Sequence, residues 1–281
     1  MFYLLYICIN LFFLYYFSYI FITIFNICII VFFRNTNSID YMEVCKLNKR
    51  NFFIYSFTLL LIFSLNCKTT YSYQSDSPKT IYITFDDGPG GKVTKSVLDT
   101  LKKEDVHATF FVIGSQIKDQ EDIILRMKNE GHSIGLHSFT HDRNKLYSSN
   151  DNFLKEMLKC QSALYDVTKE NYNILRFPFG CNNNTYKLKK ELVDVLHANN
   201  LKIFDWTLDS GDGRNYKTSP ENLIKNSCKS DENIVLLMHC SFLNETTAKA
   251  LPSIIKYYKD NGYEFKTLDE SSAEVYKLIK K

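Results

Sequence analysis

From about residue 80 onward the apolar positions switch repeatedly between two spacings. Residues 81–85 form a short apolar run that reads as a strand. Val93, Val97, Leu98 and Leu101 then recur at the three- and four-residue spacing of one helix face. Residues 108–113 read as a buried strand, and Ile123, Ile124 and Met127 as a helix face that Gly131 ends. The alternation continues with a strand at 133–137, a helix marked by Leu154, Met157, Leu158, Leu164 and Val167, and a strand at 174–177. A helix through Leu188, Leu192 and Leu196 and a strand at 201–206 follow. Ser219-Pro220 supplies an N-cap and a first-turn proline for the next helix. Residues 234–238 are an uninterrupted apolar strand, and Leu251, Ile254, Ile255 and Tyr258 form a last stripe before a strand at 263–265. About seven strand–helix units in series predict an α/β fold with a parallel sheet, open or closed into a barrel. Both arrangements put their chemistry at the carboxyl ends of the strands.

The start of the chain has a different character. Residues 1–33 carry no charged side chain, and the run exceeds the roughly 20 apolar residues that span a bilayer. A second apolar segment, 52–67, follows the basic group Lys46, Lys49 and Arg50, in the layout of a secretory signal or a short membrane anchor. Two readings stand here: a two-segment anchor, or an upstream extension in front of a signal that begins at Met42. Cys67 stands where a lipoprotein site would put it, but the Asn66 before it is a poor match to the small residue such a site needs. The expected organisation is a hydrophobic membrane or signal region over 1–67, a linker over 68–79 and a folded domain over 80–281. It would lie outside the cytoplasm, anchored to the membrane or secreted, as a monomer.

Composition changes this picture little. The 34 Lys+Arg nearly balance the 31 Asp+Glu, a formal charge of +3, which gives no electrostatic argument for nucleic acid. Of the eight cysteines, the four in the domain (Cys160, Cys181, Cys228 and Cys240) include no C-x-x-C pair, which argues against a structural zinc knuckle.

The polar residues at the expected strand ends are more informative. Asp86-Asp87 follow the first strand, His137 and His141 the third, and Arg176 sits at the fourth. Asp209 and Asp212 come after the fifth, and His239 ends the sixth. Two histidines four apart can share one side of a helical turn, and with Asp87 they make a two-nitrogen, one-oxygen set with positions left for water and substrate. Taken singly these signals are weak: an Asp-Asp-Gly-Pro run is more often a turn, a lone arginine a surface residue, and a histidine at a strand end a core residue. Their convergence on one rim is what calls for chemistry.

Five stretches carry a resemblance. Thr84-Phe85-Asp86-Asp87-Gly88-Pro89, His137-Ser138-Phe139-Thr140-His141, Arg176-Phe177-Pro178-Phe179-Gly180, Asp209-Ser210-Gly211-Asp212 and Leu237-Met238-His239 resemble the five ordered motifs of the polysaccharide deacetylases, the NodB homology domain. The resemblance covers residues 80–268 and implies a distorted (β/α) barrel with about seven parallel strands. It also implies one divalent metal ion, zinc or alternatively cobalt, on Asp87, His137 and His141. Asp86 would then be the general base, Arg176 its orienting partner, and His239 the general acid kept protonated by Asp212. Leu237 would wall a pocket for the acetyl methyl, the backbone N–H of Phe179 would bind the oxyanion, and Pro178 would line the substrate site.

The implied reaction is metal-dependent removal of acetyl groups from N-acetylglucosamine in a cell-envelope polysaccharide, first of all peptidoglycan, with chitin-like oligomers, muramic acid and O-acetyl esters as alternatives. A catalytically silent wall-binding module is the rival from another class, which the full set of acid, imidazole and guanidinium groups disfavours. Two departures from the family pattern stand out. Phe179 occupies a position usually held by Tyr, and Gly213 follows Asp212 where Trp is frequent, so that Trp206 becomes a candidate for the missing wall of the groove. Cys181 and Cys240 each follow a motif directly, and two readings stand for them, a disulfide or a pair of inert buried thiols.

Overall fold

A computed structural model describes residues 79–278 of the chain. The two apolar segments and nearly all of the expected linker lie outside the described residues. Among those described, no helix is long and apolar enough to cross a membrane.

Eight strands form one sheet in which every strand pairing is parallel. They are β1 (Thr80–Gly88), β2 (Thr109–Val112), β3 (Ser133–Leu136), β4 (Ile174–Leu175), β5 (Lys202–Ile203), β6 (Leu208–Asp209), β7 (Asn233–His239) and β8 (Glu264–Phe265). Seven run in the spatial order β5-β4-β3-β2-β1-β7-β6, a curled half-barrel, while β8 pairs with the first residues of β1. The helices are α1 (Lys92–Glu104), α2 (Glu121–Asn129), α3 (Arg143–Leu146), α4 (Asn150–Thr168), α5 (Lys190–Ala198), α6 (Pro220–Ser227) and α7 (Glu245–Asp260).

The alternation of side chains along each strand divides the core in two. Ile81, Ile83 and Phe85 of β1, Phe110 and Val112 of β2, and Leu236 and Met238 of β7 belong to the main core, where the helices bury their apolar faces. Residues of the opposite parity, Phe111, Ile174, Phe204 and Val235, form a second cluster with Leu268, against which Tyr82, Trp206 and Val275 pack. Strands buried on both faces read as unbroken apolar runs, which is why residues 234–238 show no polar alternation.

The helix faces mostly follow the sequence pattern. In α1 the buried positions include Val93, Val97, Leu98 and Leu101, and the α6 N-terminus has Ser219 Oγ accepting from Asn222 N–H ahead of Pro220. In α4 the buried stripe is Phe153, Met157, Cys160, Leu164 and Thr168, so the expected face is rotated: Leu158 is exposed, and Leu154 and Val167 are only partly buried. The two-residue β6 does not appear in the sequence pattern at all. Its presence makes the strand ended by His239 the seventh, and the strands expected at 174–177 and 201–206 shorten to two residues each.

Candidate active site and metal centre

The polar motif residues gather at the carboxyl end of the sheet, where β1 and β7 carry Asp86 and His239 as direct neighbours in register. The register of β1 against β2 slips between Asp86 and Gly88, and Asp87 takes φ 64° at that irregularity. A left-handed residue there turns successive side chains apart, so the two adjacent aspartates serve different partners.

Asp87 faces the histidines. Its Oδ1 lies 3.4 Å from His137 Nε2 and 3.4 Å from His141 Nε2, and the three ligand atoms fall within 4.8 Å of one another. His137 Nδ1 lies 2.9 Å from the carbonyl oxygen of Arg176, which can only accept, so Nδ1 carries the proton and Nε2 presents its lone pair. Burial, with His141 beside it, pushes the His137 imidazole down to about 3 against the opposing charge of Asp87, and keeps it neutral. Asp87 Oδ1 is buried without a hydrogen-bond partner. An orphaned carboxylate oxygen facing two imidazole nitrogens is a donor set that fits a divalent cation. The histidines do not share a helical turn, as their spacing suggested. His137 follows β3, and His141 sits in the loop before α3, with Ser138 at φ 66° and His141 at φ 56°.

Asp86 turns to Arg176. Arg176 is fully buried, and its guanidinium donates to Asp86 Oδ1 at 3.0 Å, Thr84 Oγ1 at 2.6 Å, and the carbonyls of Phe204 and Asp205. Burial raises the Asp86 pKa above the ordinary carboxylate range, with Arg176 and His239 pulling the other way. Across the site His239 donates from Nδ1 to Asp212 Oδ1 at 2.7 Å. Burial disfavours the imidazolium, but the hydrogen bond and charge of Asp212, with Asp86 and Asp87 behind it, outweigh that and hold His239 at about 9.

The chain has counterparts among known proteins. Residues 73–204 match the family model described as polysaccharide deacetylase. A peptidoglycan-N-acetylglucosamine deacetylase of Bacillus cereus is 36% identical over 203 residues, which is 69% of this chain and 71% of that protein. The chain belongs to the polysaccharide deacetylase family.

The deacetylase also shares 35% identity with a peptidoglycan-N-acetylmuramic acid deacetylase of Bacillus subtilis, over 68% of this chain and 71% of that one. Among solved structures, a polysaccharide deacetylase from Bacillus cereus superposes with a TM-score of 0.64 at 35% identity, over 70% of this chain and 96% of that one.

The remaining residues that the sequence singled out are distributed around this centre. Leu237 is buried on β7 and Pro178 is buried, while Phe179 is 39% exposed with its ring 4.6 Å from that of His141. The turn carrying Phe179 is left-handed at both Phe179 (φ 66°) and Gly180 (φ 81°). A Cβ at Gly180 would stand 2.9 Å from the Trp206 ring, so the half-buried Trp206 props this turn and packs beside Arg176. Asp209 is drawn away from the centre, accepting from Gly211 N–H and Arg214. Cys181 and Cys240 are both buried free thiols, in line with the second of the two readings and not with a disulfide.

Sequence reasoning missed several supporting residues of the deacetylase. Tyr147 Oη donates to the Pro178 carbonyl at 2.5 Å, and the Asp205 carboxylate accepts from Cys181 N–H at 3.2 Å. Thr247 Oγ1 donates to Asp212 Oδ2 at 2.6 Å, and Ser210 Oγ donates to Asp212 Oδ1 at 2.8 Å. Apart from Ser210, which lies in the fourth motif two residues from Asp212, none belongs to a motif and their partners are distant in sequence.

Proposed function

We propose that this protein hydrolyses the acetamide of N-acetylglucosamine residues in peptidoglycan, releasing acetate and leaving a free amine on the glycan. The observation that carries this reading is an unpartnered Asp87 oxygen facing two imidazole nitrogens, with a buried carboxylate, Asp86, and a charged imidazole, His239, side by side on the same rim. Relatives named as peptidoglycan N-acetylglucosamine and N-acetylmuramic acid deacetylases support the substrate class, and a wall substrate goes with action outside the cytoplasm.

Asp87, His137 and His141 would hold a divalent ion, zinc or alternatively cobalt, whose Lewis acidity would polarise the acetamide carbonyl and acidify a water molecule. Asp86 takes the proton of the attacking water, and its raised pKa makes it a stronger base than a solvated carboxylate. Arg176 orients Asp86 through a charge-assisted hydrogen bond. The backbone N–H of Phe179 donates to the developing oxyanion, and Leu237 and Pro178 shape the space around the acetyl group. His239, charged at neutral pH, gives its Nε2 proton to the departing amine, because an amide anion is too poor a leaving group to depart alone.

The test is acetate release by the full chain from peptidoglycan and from N-acetylglucosamine oligomers, after chelation and after adding back zinc or cobalt. Metal-restored release is expected, and no release from any of these polymers by metal-loaded protein would sink the reading in favour of a silent wall-binding module. Asp86→Asn should lower turnover by about a hundred- to ten-thousand-fold while the measured metal content is retained. Full activity in that variant would remove Asp86 as the base.

A further inference from the structure

The described residues contain four arginines, and three of them meet a carboxylate. Arg126 pairs with Asp99 and Glu130, Arg176 with Asp86, and Arg214 with Asp209. Arg143 is exposed and, among the described residues, has no carboxylate partner. It is nonetheless held in place: its Cζ sits 4.1 Å from the centre of the Phe179 ring, and its Nη1 donates to Thr185 Oγ1 at 3.3 Å. The carboxylate next to it in sequence, Asp142, is committed to capping α3, where it accepts from Asn144 and Lys145 N–H. The Phe179 ring that carries Arg143 also touches His141, so the guanidinium stands one aromatic ring away from the metal triad.

The surface beyond it has the same sign. Lys145, Lys155 and Lys159 line a cleft of about 460 Å³ on α3 and α4. The single acid there, Glu156, is occupied by Thr140 N–H and Oγ1 of the histidine loop. An exposed guanidinium stacked on a ring and without a carboxylate partner is preorganised for an anion, and planar carboxylates match its fork.

We propose that Arg143 is a specificity-determining residue that binds a carboxylate carried by the glycan, on or next to the sugar being deacetylated. This rests on the deacetylase reading above. Peptidoglycan offers two sources, the lactyl carboxylate of muramic acid where no stem is attached and the acids of the stem peptide where one is, whereas a chitin-like oligomer has neither. Arg143 therefore separates acidic wall glycan from neutral N-acetylglucosamine polymers.

The experiment compares wild type, Arg143→Gln and Arg143→Lys at matched metal content. Substrates are glycan strands with stem peptides, the same strands stripped to the lactyl carboxylate, and neutral N-acetylglucosamine oligomers. The ratio of kcat/KM on acidic over neutral substrate should fall about tenfold in Arg143→Gln, mostly through KM, with Arg143→Lys retaining part of it. Raising salt should shrink the wild-type ratio toward that of Arg143→Gln. A deficit confined to stripped strands assigns the lactyl carboxylate, and one confined to stem-bearing strands assigns the peptide; both support the proposal. Equal losses on acidic and neutral substrates would overturn it. An inactive wild type on every substrate would instead remove the deacetylase reading, so the two failures are distinguishable.

Discussion

His239 is the site's most consequential side chain, because its charge is maintained against its burial. Asp212 makes the difference: its Oδ1 and Oδ2 accept from His239 Nδ1 and from the His239 backbone N–H, and its own pKa stays below the usual carboxylate range despite burial. The unfolded imidazole binds its proton near 6.5 and the folded one near 9. The pair therefore stabilises the fold fully below 6.5, and that contribution is lost as pH rises through 9. The same titration removes the general acid, so the pH–rate profile should fall on its alkaline side near 9. Asp212→Asn should move that limb to lower pH and cut the neutral-pH rate by about a hundredfold or more, read from kcat against pH. Gly213 contributes through what it lacks. A Cβ there would come within 2.4 Å of His239 Cε1, so Gly213→Ala must displace the imidazole. A drop in kcat of at least about tenfold, with KM little changed, is expected in steady-state kinetics.

The secondary elements divide the labour by what each can hold rigid. Strands β1 and β7, the two longest of the described strands, set Asp86 and His239 side by side with a register that their apolar packing enforces. Helix α7 contributes one polar residue to the site, Thr247, buried at its first turn, whose hydroxyl donates to Asp212. Thr247→Val preserves the shape and leaves the buried Asp212 oxygen one donor short. It should cost about 1–3 kcal/mol in denaturant unfolding. Aspartate pairs, histidine spacing and the strand-end arginine were readable because each interrupts an apolar run with a polar group. Thr247, Tyr147 and Asp205 were not, since a threonine in a helix or a tyrosine in a loop gives no signal until the fold supplies its partner. The α4 stripe was misread for a related reason: apolar residues on adjacent faces leave the buried direction to whatever packs against the helix.

Across the whole domain, the segment after β8 completes what the strands leave open. Leu268 N–H donates to Thr109 Oγ1 and its carbonyl accepts from Ser133 Oγ, which brings its side chain to the second apolar cluster. Glu274 then accepts from Ile203 N–H at 2.7 Å, and Val275 pairs with Phe204 beside β5. The Val275 carbonyl accepts from Asp205 N–H, joining the tail to the residue whose carbonyl holds Arg176. Deleting residues 271–281 should expose Phe204 and Trp206 and lower the melting temperature by about 5–10 °C. Because Trp206 is the chain's sole tryptophan, a red shift of its fluorescence in the folded variant reports the opening directly.

The order of strands and helices, the parallel sheet and the rim that carries the chemistry all follow from local chain properties: two periodicities, caps, and polar residues where apolar runs stop. Those are statements about neighbours in sequence, and one chain contains them. The short strand β6, the loop geometry of His141, the free state of Cys181 and Cys240, and the hydrogen bonds that tune Asp86 and His239 depend on groups brought together from far along the chain. Burial and partner charge set those properties, and both exist only once the sheet has curled and the helices have closed over it.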